Sequence, residues 1–225
     1  MEINTFREDN HMGNKGFTLV EIMVTLALSG IVMASIYTAF LSQQRSYLAQ
    51  EQVSAMQQNI RAGLDIMTRE IRMAGFDPTQ EAGAGITTAS AGQISFTQDI
   101  TNNTGTGDSD GDVNDPGENI TYSLYTTDGI KKLGRNNQPV AENIEQLEFY
   151  YTLANGTQKT IPSAAELAEI KSVQISILAK AGRPDRNFIN TATYTSASGV
   201  NWGPAGDNYR RRLLITTVQC RNMGL

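Results

Sequence analysis

Apolar residues are distributed very unevenly along the chain. They form one nearly continuous run, FTLVEIMVTLALSGIVMASIYTAFL, from residue 17 to 41, whereas the remaining sequence is mostly polar. A helix that crosses a membrane needs about 20 mostly apolar residues, so this run is long enough. A secretory signal has an apolar core of roughly 7–15 residues, followed by a small-residue cleavage site. The run is longer and no such site ends it, so the sequence predicts a membrane-spanning helix.

The helical pattern continues beyond Leu41 with a different character. Apolar residues then recur every three or four positions as far as Ala74, which predicts an amphipathic helix with one apolar face. Pro78 is the first proline of the chain, and Gly75 suits a helix C-terminus. We therefore expect one helix over 17–74, about 87 Å long at 1.5 Å per residue. A coiled coil is the alternative, but the long sequence that follows needs a surface to pack on.

The residues after Pro78 favour β-structure. Asp128-Gly129 predicts a tight hairpin between ITYSLYT and IKKLGR, and SAAELAEI at 163–170 predicts a short helix capped by Ser163 and Glu166. Segment 182–208 lacks periodicity and predicts a loop, either exposed and adhesive through Tyr194 and Trp202 or mobile around a buried tryptophan. Five segments alternate as half-buried strands do: QISFT at 93–97, ITYSLYT at 120–126, IEQLEFYYTL at 144–153, VQISILAKA at 173–181 and RRLLITTVQ at 211–219.

These elements predict an α+β fold in which a mostly antiparallel sheet packs on the second half of the long helix. The predicted divisions are 1–16, a leader; 17–41, the membrane-spanning half of the helix; 42–78, its amphipathic half; and 79–225, the head domain.

Charge and reactive side chains narrow the function. The net charge is −5 and no basic stripe is present, which gives no electrostatic reason to expect nucleic-acid binding. Cys220 is the single cysteine and His11 the single histidine, and no G-x-S-x-G, P-loop or G-x-G-x-x-G motif occurs. We therefore expect a protein that is not an enzyme.

Glu21 stands out because it is the one charged residue in the apolar run. A carboxylate in a membrane-spanning segment is costly, so it either stays wet near the interface or meets a partner. Lys15-Gly16 precedes it, followed by Phe17-Thr18-Leu19-Val20. A short polar leader that ends in glycine, an aromatic residue after it and a glutamate five places beyond that glycine resemble the type IV pilin family closely.

The resemblance implies a role for each residue of this motif. A prepilin peptidase would cleave after Gly16, and the new N-terminus at Phe17 would be methylated. Glu21 would pair with the free amine of a neighbouring subunit, because a buried carboxylate is tolerated when a cation lies beside it. Two features depart from the pattern: the leader is acidic, and the helix lacks the proline that kinks many major pilins.

Within this family the mature chain resembles the PilW-type minor pilins, through MTREIRMAGFDP, AENIEQLEFYY and YRRRLLITTVQCRNMGL. Such proteins are similar to the J-type pseudopilin of type II secretion. The resemblance implies a pilin fold and a single-pass inner-membrane protein with a periplasmic head. After priming assembly, the subunit would lie near the tip of an extracellular pilus.

The expected partners are the prepilin peptidase, other major and minor pilins, the inner-membrane assembly machinery and membrane lipid. The alternatives are a minor pseudopilin of a type II secretion system and a membrane-anchored periplasmic binding domain.

The acidic segment TGTGDSDGDVNDPGENIT, residues 104–121, is a candidate calcium site. Crowded carboxylates repel one another, and a hard divalent cation would relieve that repulsion. The pattern resembles the start of an EF-hand, but Val113 replaces the glycine of the turn and Asn119 the closing glutamate. A solvated acidic turn is the alternative. The expected Ca²⁺ ligands of a different kind of loop are Asp108, Asp110, Asp112 and Glu118.

Overall fold

The computed structural model describes residues 16–105 and 107–223. Most of the expected leader, including His11 and Lys15, lies outside these residues. The chain divides into two compact units, one ending at Leu48 and one beginning at Ala49.

Helix α1 runs from Leu19 to Met73, close to the predicted bounds. Gly75, two residues beyond the last helical residue, has φ +78°, a left-handed conformation that favours glycine. A Cβ at this position would also lie 2.9 Å from Sδ of Met223, so the close approach of the C-terminal turn requires glycine as well.

A five-stranded antiparallel sheet follows the helix, in the order β1-β2-β3-β4-β5. The turn between β3 and β4 has positive φ at both Asp128 and Gly129, as a tight hairpin requires, and this prediction is confirmed. The strands are β1 (Ile86–Ala89), β2 (Gln93–Thr97), β3 (Asn119–Thr127), β4 (Ile130–Arg135) and β5 (Gln138–Glu142).

A second, four-stranded antiparallel sheet has the order β11-β8-β6-β7. Its strands are β6 (Ile144–Leu153), β7 (Gln158–Lys159), β8 (Ile170–Lys180) and β11 (Arg211–Gln219). Two short strands, β9 (Tyr194–Thr195) and β10 (Asn201–Trp202), lie between β8 and β11 in the sequence and pair with each other.

The second half of α1 packs on the five-stranded sheet. Asn59 Nδ2 donates to the carbonyl of Glu142 at 2.7 Å, and a Cβ at Gly63 would lie 3.0 Å from Cβ of Ala141. Further along, Glu70 accepts hydrogen bonds from Tyr122 and from Arg135, which lie on β3 and β4. One apolar core contains the buried face of the helix, namely Met56, Ile60, Leu64, Met67 and Ile71, together with side chains of both sheets.

The predicted α+β fold, with antiparallel strands packed on the second half of the long helix, is therefore confirmed, with two local differences from the expectations. The β-structure forms two main sheets in the described residues, where a single sheet was expected. The predicted short helix after Ser163 is confirmed as a 3₁₀ helix, Ala164–Glu169, and Glu166 Oε2 accepts the N–H of Ser163 at 2.8 Å. Segment 182–208 carries the short strands β9 and β10, and Trp202 lies opposite Tyr194 at intermediate exposure, so this tryptophan is not buried.

Replacing Ile60 with alanine should destabilise the head strongly, because this helix residue is fully buried. Loss of a buried isoleucine side chain costs about 2–5 kcal/mol. The matched control is Ile66→Ala on the same helix, where the side chain is 41% exposed and the expected change is within about 0.5 kcal/mol. Urea denaturation of the detergent-solubilised chain, followed by near-UV circular dichroism, measures both. Equal destabilisation by the two variants would contradict the assigned buried face.

Candidate functional site

The N-terminal part of helix α1 exposes apolar side chains on all its faces. Every large apolar side chain from Phe17 to Phe40 is at least half exposed. This helix is long and apolar enough to cross a membrane, and none of that apolar window is buried. A surface of this kind requires lipid or other protein around it.

The polar groups of this part of the helix are satisfied locally. Thr25 Oγ1 donates to the Glu21 carbonyl at 2.9 Å, and Ser29 and Ser35 donate to the carbonyls of Thr25 and Ile31 at 2.6 and 2.9 Å. Hydroxyls bonded to the preceding turn can enter an apolar environment without an unpaired donor. The carboxylate of Glu21 is then the one charged group in 17–41.

Glu21 lies in the first turn of α1 and caps it. Its Oε2 accepts hydrogen bonds from the backbone N–H of Thr18 at 2.8 Å and from the Thr18 hydroxyl at 2.9 Å, while Thr18 Oγ1 accepts from the N–H of Glu21 at 3.3 Å. This reciprocal pattern is a capping box. The box was not predicted, although Thr-x-x-Glu ahead of an apolar run is its sequence signal. All the hydrogen bonds go to Oε2, so Oε1 is open to a donor from another chain. Gly16 and Phe17 precede the helix and are exposed.

The acidic loop between β2 and β3 brings together only some of the expected ligands. Asp110, Asp112 and Asp115 form a cluster in which one carboxylate oxygen of each lies within 4.8 Å of the others. Asp108 is exposed and is not a member of this cluster. Asp115 completes the cluster and was not among the expected ligands.

Glu118 serves the loop backbone instead of the cluster, which corrects its expected role as a ligand. It is buried, and its Oε1 accepts the N–H groups of Ile100 and Thr101, both at 2.9 Å, while its Oε2 accepts the N–H of Asp115 at 3.2 Å. Burial alone would raise the pKa of Glu118, but these hydrogen bonds lower it overall. In contrast, burial and the charges of neighbouring carboxylates, Asp110 first, raise the pKa of Asp115.

Segment 182–208 is held on the four-stranded sheet by buried charges. Glu148 on β6 is buried and accepts the N–H and hydroxyl of Ser198 at 3.2 and 2.9 Å. Arg211 at the start of β11 has a side chain only 3% exposed, and its Nη2 donates to Glu145 at 2.9 Å and to Asp207 at 2.7 Å. Neither Glu148 nor Arg211 could be assigned a partner from the sequence, because these partners are distant in the chain or lie in an aperiodic segment.

Comparison with known proteins agrees with this geometry. The family model for Type IV Pilus-assembly protein W matches residues 109–222, and the model for the prokaryotic N-terminal methylation motif matches residues 11–37. The structure is similar to that of a type IV-like pilin from Thermus thermophilus, with a TM-score of 0.50, 14% sequence identity and coverage of 76% of this chain and 100% of that chain. No curated protein matches significantly.

The long helix, the antiparallel sheets and the methylation motif together define a type IV pilin-like protein. Since the family model covers half of the sequence, the chain belongs to the Type IV Pilus-assembly protein W family.

Replacing Arg211 with glutamine should release segment 182–208, because two acidic partners lose their common cation. Limited proteolysis with thermolysin, mapped by mass spectrometry, should show cleavage within 182–208 accelerated about tenfold or more. The control is Arg212→Gln at the adjacent exposed position, which should cleave as the unchanged chain does. Equal cleavage of the two variants would rule out the tether.

Acid should weaken the same tether. The pKa of Asp207 is lowered to about 2 by its hydrogen bonds with Arg211, so the stabilisation from this ion pair is complete above about pH 4 and is lost as the pH falls through 2.

Proposed function

We propose that this chain is a minor pilin that helps to initiate assembly of a type IV pilus and lies near the filament tip. The observation that carries the proposal is the helix segment 17–41, which is apolar on all faces and has one carboxylate in its first turn. Membership of a family described as pilus-assembly proteins supports a role in assembly.

The chain is proposed to act structurally rather than as an enzyme. Its sequence has one histidine, His11, upstream of the proposed cleavage after Gly16. The head would lie in the periplasm while the helix is in the inner membrane, and outside the cell once the subunit is in the filament. The prepilin peptidase, the inner-membrane assembly machinery and other pilins are the proposed partners.

The proposed contact between subunits joins Glu21 to the amine of Phe17 in a neighbour. The Glu21 carboxylate points one oxygen at its own helix N-terminus and keeps Oε1 for a second donor. Removing this charge from water is costly unless a cation meets it, and a methylated amine keeps its positive charge. An assembling subunit would therefore be selected by the match of these two charges.

The mature protein should begin at Phe17 and carry one additional methyl group. The methylation motif matches residues 11–37, and cleavage after Gly16 removes the polar leader that precedes the apolar run. Intact-mass and N-terminal peptide mass spectrometry of the membrane fraction checks both features. The control is Gly16→Leu, which should leave the leader attached. A chain that keeps Met1 in its native organism would contradict the proposed processing.

Replacing Glu21 with alanine should lower the number of pili per cell about tenfold or more, because the neighbour's amine loses its buried counter-charge. Two matched variants separate this charge from the capping box. Glu21→Gln keeps a side chain that can cap the helix but removes the charge, and it should fail like the alanine variant. Thr18→Ala removes the cap and keeps the charge, and it should still assemble.

The measurements are pilus counts by electron microscopy and the amount of the variant in sheared filaments, with membrane levels compared to confirm expression. Assembly by Glu21→Gln together with failure of Thr18→Ala would assign Glu21 a capping role and refute the proposed ion pair.

A further inference from the structure

Three buried oxygens without hydrogen-bond partners lie in the loop between β2 and β3. They are Gln98 Oε1, Asp99 Oδ1 and Asp115 Oδ2, and among the described residues the one other buried side-chain atom of this kind is on Gln52. Asp99 is fully buried and Asp115 is 8% exposed. Buried polar atoms are nearly always paired, so these three acceptors need a hydrogen-bond donor or a cation that the described residues do not supply.

The neighbouring carboxylates use only part of their capacity. Asp110 Oδ2 accepts the N–H and side-chain amide of Asn103 at 3.2 and 2.8 Å, and Asp112 Oδ1 accepts the N–H of Asn114 at 2.9 Å. These bonds fix the direction of each carboxylate without neutralising it. Residues 98–118 contain no lysine or arginine, and none of the ion pairs among the described residues involves this cluster.

The distances between the carboxylate oxygens of the cluster suit a single hard cation. Calcium binds six to eight oxygens at 2.3–2.6 Å, so two oxygens on one ion lie at most about 5 Å apart. The oxygens of Asp110, Asp112 and Asp115 fall within 4.8 Å of one another, and all three can reach one ion. Magnesium has shorter bonds and a stricter octahedral geometry, which suits this loose set of carboxylates less well.

We propose that Asp110, Asp112 and Asp115 bind one calcium ion, with Asp99 contributing negative charge from the buried side of the loop. Asp99 connects this site to the segment that follows helix α1. Its N–H donates to the Phe76 carbonyl at 2.8 Å, and its Oδ2 accepts the N–H of Gly111 at 3.2 Å and the Thr79 hydroxyl at 3.3 Å. Calcium would thus hold the β2–β3 loop against residues 76–79. This inference is independent of the proposed role in pilus assembly.

The test is isothermal titration of CaCl₂ into the full-length chain in detergent. The expected dissociation constant lies between about 10⁻⁴ and 10⁻³ M, the range of extracellular calcium modules. At ten times that concentration the melting temperature should rise by about 3–6 °C. No binding heat up to about 10 mM calcium would overturn the proposal, and equal or tighter binding of MgCl₂ would overturn the choice of calcium.

Three variants test the ligand set. Asp110→Asn, at an exposed position, should weaken calcium binding about tenfold or more, because affinity depends on the number of charged ligands. Asp108→Asn is the control from the same loop and should bind as the unchanged chain does. Asp115→Asn should abolish the calcium response and raise the melting temperature without calcium, since it removes a buried unpaired charge. Unchanged affinity in Asp110→Asn, or equal losses in Asp110→Asn and Asp108→Asn, would refute the assigned ligands.

Discussion

The apolar surface of helix α1 before Leu41 is the constraint on which the rest depends. Its large side chains are at least half exposed from Phe17 to Phe40, and the described residues bury none of that window. The hydrophobic effect favours covering such a surface, so it must lie in lipid or against other apolar helices. In the proposed function the helix has both environments in turn, lipid before assembly and other pilin helices afterwards. The one helix can therefore serve as an anchor before assembly and as filament core afterwards, without a change in its own hydrogen bonds.

The fold was predictable wherever a long alternating or helical pattern meets one apolar core. The bounds of β2, β6 and β11 agree with the predicted segments, and α1 agrees to within two residues at each end. Strand β5 was missed because QPVAE contains Pro139, which argues against a strand. A proline is tolerated there because β5 is an edge strand of its sheet. The strands of two residues are too short to show any alternation. Two sheets rather than one could not be foreseen, since local pattern carries no information on which strands pair.

Glu21 could be singled out from the sequence, whereas the members of the acidic cluster could not. Glu21 was recognised because a charge in an apolar run is anomalous from the sequence alone. In the acidic loop, every carboxylate looks equivalent along the chain, and only folding distinguishes them. Glu118 turns inward to three backbone N–H groups, while Asp115 is buried with one oxygen unpaired. Of the expected ligands, Asp110 and Asp112 come together with Asp115, whereas Asp108 and Glu118 lie outside this cluster.

Four carboxylates of this chain fall into two groups. In one group both oxygens accept hydrogen bonds from the chain itself, and in the other at least one oxygen does not. Glu118 and Glu148 are buried, and each has both oxygens hydrogen-bonded within the same chain. Glu21 accepts hydrogen bonds through one oxygen alone, and Asp115 has one buried oxygen without a donor. A negative charge that is only partly satisfied costs free energy where water is removed from it, as for Asp115 in the folded loop and for Glu21 once its helix lies in lipid or against other helices. Binding of a cation removes that cost, which is why we propose an amine as the partner of Glu21 and a metal ion as the partner of Asp115.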